Sequence, residues 1–202
     1  MSGLVGIWHR SNLVTYLGLA VAAVGCALTL VDPGWAVLCL VVAGVCDLLD
    51  GTFARRFARD EATKRFGIQL DSLADMVGFV VLPAVVVVAF GLPWWVVAVV
   101  LAVYALAAVT RLAYFNVVTD GTPRTYRGLP VTYAALVLPV VWLACTLLGV
   151  GPGWAWASCL VVLAVLFVVD VPVPKPRGRG TVVFLLIAVG LCAGVVAVQV
   201  AG

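Results

Sequence analysis

The chain has 202 residues, 65% of them hydrophobic and 10% charged, with a mean hydropathy of +1.22 and a formal net charge of +3. A soluble domain is nearer half apolar and a quarter charged, so composition excludes one and points to a polytopic membrane protein. The expected form is a single all-α domain over residues 1–202, a helical bundle with six to seven transmembrane helices and no sign of a nucleic-acid partner.

At the N-terminus, His9 and Arg10 lead straight into a full-length apolar run, with no small-residue cleavage site after a short core, so a cleaved signal peptide is not expected. A span needs about 20 apolar residues. On that measure, spans fall at roughly 13–31, 35–54, 68–91, 94–117, 129–149, 153–170 and 181–200, the sixth being the shortest. Turn chemistry separates them: Asp32-Pro33-Gly34, Gly91-Leu92-Pro93, the glycine-rich stretch from Gly149 to Gly153, and the Pro/Gly-rich stretch from Pro172 to Gly180. The six cysteines, Cys26, Cys39, Cys46, Cys145, Cys159 and Cys192, lie in or beside apolar runs without a C-x-x-C pair, and read as small packing residues.

Basic residues fall in alternate loops: Arg10, then Arg55 to Arg65, then Arg124 and Arg127, then Lys175, Arg177 and Arg179. The opposite loops carry no Lys or Arg. By the positive-inside rule the N-terminus is cytoplasmic and, with seven spans, the C-terminus is outside. The tryptophans Trp35, Trp94, Trp95, Trp154 and Trp156 gather at the outer span ends, as an interfacial belt does.

Chemistry concentrates between Asp47 and Asp75. Asp47 and Asp50 are three residues apart, and Asp71 and Asp75 four, so each pair shares a helix face. The first pair ends the second span and the second begins the third, which places all four acids near the cytoplasmic interface. Between them, the basic connector from Arg56 to Phe66 would lie along the headgroup layer. Four carboxylates meeting at one point require a cation. An oxygen-only donor set suits Mg²⁺ or Mn²⁺, with two ions clamping a diphosphate. Gly51 leaves room for a substrate against the backbone, and Arg55 can bind a phosphate oxygen. With three carboxylates holding metal, the fourth can act as general base on an attacking hydroxyl.

These residues resemble the signature of the CDP-alcohol phosphotransferase family, D-x-x-D-G-x-x-A-R followed, after a spacer, by G-x-x-x-D-x-x-x-D. Every fixed position is matched, by Asp47, Asp50, Gly51, Ala54, Arg55, Gly67, Asp71 and Asp75. The resemblance implies an integral-membrane enzyme, usually a homodimer, in which an acceptor hydroxyl displaces CMP from a CDP-lipid. It further implies Asp47, Asp50 and Asp71 as metal ligands, with Asp75 as the base and a further metal contact, and Gly51 and Arg55 as contacts to the CDP moiety. The family's Asn-x-x-Thr ahead of the first span is matched by Asn12 and Thr15, which the resemblance implies as CDP-lipid contacts, with Ser11 where a proline is common. Thr63 and Lys64 fall where some members place a hydroxyl near the diphosphate.

Three further segments resemble the membrane-type phosphatidylserine synthases within that family: Phe66 to Asp75, Arg111 to Asn116 and Tyr126 to Pro130. Tyr114 stands where that pattern has Arg, and the segment Gly78 to Pro83 is looser than the usual one. The resemblance implies transfer of a phosphatidyl or archaetidyl group to L-serine, with Arg111, Asn116, Arg124 or Arg127 binding the acceptor. An inositol phosphate or glycerol phosphate acceptor fits the same basic residues. A cation transporter is the reading from outside the class. It would place charge near the bilayer midplane, whereas the acids here sit at one interface.

Overall fold

A computed structural model describes residues 6–118, 125–174 and 178–201. Among them are seven helical rods. These are α1 (Leu13–Leu28), α2 (Pro33–Ala54), α3 (Glu61–Ala89), α4 (Trp94–Val118), α5 (Ala134–Leu147), α6 (Gly153–Val168) and α7 (Arg179–Ala201). Five of the helices are long and apolar enough to cross a membrane. The other two, Val131–Leu147 and Gly153–Val168, are shorter. The expected multi-pass helical bundle is thus observed, with one small exception: Thr125–Arg127 (β1) pairs antiparallel with Pro172–Pro174 (β2).

α2 is the hub, packing against α1, α5, α7 and the middle of α3. Small residues let the backbones approach, as helices in lipid require. A methyl group at Gly25 would lie 2.7 Å from the Cys39 Cβ, one at Gly18 would lie 2.9 Å from the Cys46 Cβ, and one at Gly44 would lie 2.5 Å from the Ala135 Cβ. All six cysteines are free thiols, and Cys39 and Cys46 pack as the sequence suggests. Outward faces carry Leu17, Val24, Leu106 and Leu186, an apolar exterior suited to lipid.

α3 begins earlier than the hydropathy pattern predicts, at Glu61 instead of near 68. Asp60 is the reason: in extended conformation, it accepts a hydrogen bond at 2.8 Å from the Thr63 backbone N–H and caps the helix. The Thr63 side chain and N–H together hold the Asp60 carboxyl below the usual carboxylate range. The connector after α2 is therefore short, and Asp71 and Asp75 stand well inside α3 instead of in its first two turns. A helix of 29 residues is about 44 Å long, more than the roughly 30 Å of hydrocarbon. The polar first turns of α3 project beyond that layer.

α3 changes pitch just after Asp75, through a π-helical segment at Val77–Val81. Pro83 has no N–H to give the Phe79 carbonyl four residues earlier. The buried Tyr104 hydroxyl, on α4, donates to that carbonyl instead at 2.7 Å. The Pro83 carbonyl in turn accepts from Trp156 Nε1 at 3.2 Å. The break in the backbone ladder is thereby stitched to α4 and α6.

Candidate active site

The ends of α2 and α3 bring the four aspartates to one place. Asp47, Asp71 and Asp75 each offer a carboxylate oxygen, and these oxygens lie within 4.8 Å of one another. Asp50 lines the same cavity beside Asp71. Asp75 is buried, and the other three are half-buried. The cavity holds about 20 Å³, with Gly18, Ala43 and Gly78 among its small apolar lining residues. That is room for a water or a bare ion. Oxygen donors converging on such a space fit a hard divalent cation, and they would repel one another without one.

α1 supplies the next layer. Thr15 donates to Asp50 at 3.0 Å, so this residue of the N-terminal Asn-x-x-Thr reaches an acid directly. Asn12 is buried, accepts from the Ser11 hydroxyl at 3.2 Å and abuts Gly67, where a methyl group would lie 3.4 Å from Asn12 Oδ1. Its amide Nδ2 is buried with no hydrogen-bond acceptor among the described residues. Gly67 is therefore the gap in α3 into which the Asn12 side chain fits.

Gly51 and Arg55 adjoin on the exposed side of α2, where a methyl group at Gly51 would lie 3.5 Å from Arg55 Nη1. The Arg55 guanidinium donates to Thr52 at 2.9 Å and remains open to solvent. Ala54 is buried as a packing residue. Thr63 is buried at the start of α3, bound to Asp60, while Lys64 is exposed and ion-paired with Glu61 at 2.7 Å. Neither Thr63 nor Lys64 lines the acidic cavity.

Of the basic residues expected to bind an acceptor, Arg111 is buried near the C-terminal end of α4, its guanidinium 5.0 Å from the Phe115 ring centroid. It is close enough to Asp47 to act on it electrostatically. Asn116 exchanges hydrogen bonds with Ser72, donating at 2.8 Å and accepting at 3.2 Å, and so ties α4 to α3 beside Asp71. Arg127 is turned to Asp170, with contacts of 2.8 and 2.6 Å from Nη1 to the two carboxylate oxygens, both side chains being exposed. Arg124 lies outside the described residues.

Two site residues had no motif to mark them. Thr132, in the 3₁₀ turn Val131–Tyr133, hydrogen-bonds with Asp47. The turn is delivered there by Gly128-Leu129-Pro130, part of the segment that resembles the serine enzymes. Gly128 has a φ of +73°, and its N–H donates to the Val171 carbonyl at 3.0 Å, while the next N–H, of Leu129, donates to the Leu166 carbonyl at 2.9 Å. Any Cβ at Gly128 would run into the Phe167 carbonyl oxygen, so only glycine fits. Asp170, the second residue, follows α6 and stands at the end of the sixth apolar run of the sequence.

A family model described as CDP-alcohol phosphatidyltransferase matches residues 8–170. The chain is 35% identical over 130 residues to a protein of Mycobacterium tuberculosis (strain ATCC 25618 / H37Rv) named CDP-diacylglycerol–serine O-phosphatidyltransferase, covering 61% of this chain and 44% of that one. A Saccharomyces cerevisiae protein of the same name is 37% identical over 108 residues, covering 48% of this chain and 38% of its own length. A Methanothermobacter thermautotrophicus protein named archaetidylserine synthase is 30% identical over 109 residues, with 54% and 46% covered. The chain thus spans less than half the length of each of these relatives.

Proposed function

This chain belongs to the CDP-alcohol phosphatidyltransferase family, and on that premise we propose that it transfers a phosphatidyl or archaetidyl group from a CDP-lipid to the hydroxyl of L-serine. The observation that carries the reading is the convergence of Asp47, Asp71 and Asp75 on one point, with Asp50 beside them. The serine acceptor is supported by the names of the relatives and by the segment from Arg111 to Pro130, with Arg111 as anchor for the acceptor carboxylate.

Asp47, Asp50 and Asp71 would hold Mg²⁺ or Mn²⁺, with Asp75 at the edge of the same set. Cations held there would supply positive charge that offsets the charge developing on the leaving CMP. Gly51 and Arg55, adjoining on α2, would seat the cytidine diphosphate, Arg55 through a phosphate oxygen. Asn12 and Thr15, set against Gly67 and Asp50, would complete the CDP-lipid site on that side. Asp75 accepts the proton of the attacking hydroxyl. The hydroxyl oxygen forms a bond to the lipid-bearing phosphorus, and the bond from that phosphorus to the CMP oxygen breaks. CMP departs with the electron pair.

The protein would sit in the cell membrane with its N-terminus and acid cluster toward the cytoplasm, most simply as a homodimer. The pairing of β1 with β2 supports that topology, because it puts two basic connectors at one end of the bundle. The test is CMP release by purified protein given CDP-diacylglycerol or CDP-archaeol, Mg²⁺ or Mn²⁺, and serine, inositol phosphate or glycerol phosphate. Release that depends on serine is expected. No acceptor-dependent release would overturn the reaction, and release with a phosphorylated alcohol alone would overturn only the choice of serine.

A further inference from the structure

A second cavity, of about 260 Å³, opens between the C-terminal ends of α4 and α6, and it carries opposite charges on its wall. Arg111 and Thr110 line it from α4, Arg127 and Gly128 from the connector, and Asp170 from the segment after α6. It is smaller than pockets that take drug-sized ligands, and it has room for a small polar molecule with several waters. Arg111 forms the buried end, and Asp170 stands at the solvent-facing mouth.

Arg111 belongs to both places, since it lines this cavity and acts on Asp47. Arg111 is therefore the link between this cavity and the acid cluster. A phosphorylated alcohol would use only the guanidiniums of this wall and leave the Asp170 carboxylate without a role. A zwitterion fits both signs. Its carboxylate pairs with a guanidinium that offers parallel donors, and its ammonium pairs with an acid.

We propose that this cavity is the amino-acid subsite and that Asp170 recognises the acceptor's ammonium group while Arg111 takes its carboxylate. The proposal rests on the serine reading above and extends it to a residue that no signature position marks. Arg127 is then a positioning residue. It fixes the Asp170 carboxylate by contacts to both oxygens, and a carboxylate with about four lone-pair sites keeps room for a further donor. Gly128 is part of the same device, because its close approach to the Phe167 carbonyl sets the connector against the end of α6.

Steady-state kinetics on the full chain in detergent, with CDP-diacylglycerol and Mn²⁺, test this through Asp170→Asn and Asp170→Glu. Loss of a charged hydrogen bond is expected to raise the KM for serine roughly tenfold to a hundredfold in Asp170→Asn. In that variant kcat should stay within a few-fold and the KM for the CDP-lipid should be unchanged. Asp170→Glu should recover most of the serine KM. An unchanged serine KM in Asp170→Asn overturns the proposal, as does a parallel rise in the CDP-lipid KM, which would mark a structural role. Wild-type protein that releases no CMP with serine overturns the serine reading and this proposal with it. The two failures are therefore distinguished by whether wild type uses serine.

Discussion

Asp75 differs from the other three aspartates in being buried, and it is the last residue but one of the regular α-helix before the π-helical segment. Its replacement by Asn keeps the size and removes the proposed base. Asp75→Asn is expected to lower CMP turnover by roughly 10²- to 10⁴-fold while CDP-lipid binding persists, as equilibrium binding of a CDP-lipid would read. Near-normal turnover would remove Asp75 from the role of base. Thr15 acts one step further out, through its 3.0 Å hydrogen bond to Asp50. Thr15→Val keeps the shape, and should raise the Mn²⁺ concentration needed for half-maximal activity roughly tenfold to a hundredfold, the scale of an outer-shell contact. A metal titration checks it. The four acids were legible because their spacing by three and four survives any helix packing. Thr132 and Asp170 were not, since each reaches the site through a connector whose path depends on Gly128 and on the pairing of β1 with β2.

Among the elements, α3 shows most clearly what hydropathy can and cannot locate. The apolar run gave the part that lies in lipid, while the helix start was set by the Asp60 cap and fell in polar sequence. Likewise Pro83 lay within the third apolar run, and its consequence depended on Tyr104, whose hydroxyl answers the Phe79 carbonyl from another helix. β1 and β2 escaped notice because three residues each, two of them prolines in β2, carry no strand pattern. The connector they form is testable through Gly128. Gly128→Ala places a Cβ against the Phe167 carbonyl at a φ of +73°. The backbone conformation alone costs ~1–2 kcal/mol, and the contact adds to it. Thermal unfolding in detergent should show a lower Tm, and turnover with serine should fall because Thr132 and Arg127 are displaced together. A variant with unchanged Tm and activity would contradict the account of this connector.

At the scale of the molecule, alternating basic loops and the β1–β2 pairing put the acid cluster at one end of the bundle, among the connectors of one face. That end would be cytoplasmic, which thiol labelling of intact cells can check in a chain freed of its native cysteines. Arg56→Cys, in the exposed connector after α2, should react with an impermeant reagent only after lysis. Gly151→Cys, where a side chain meets nothing within 4 Å, should react in intact cells. The reverse pattern would invert the topology. On the proposed function, a lipid would enter such a site from the side and a small acceptor from water, the two meeting over the aspartates. The most direct measurement of this central claim follows labelled serine into a solvent-extractable lipid, using purified protein with a CDP-lipid and Mn²⁺. The account predicts labelled lipid and CMP in equal amounts, abolished by chelator and by Asp75→Asn. Serine that stays wholly in the aqueous phase while CMP is released would contradict it.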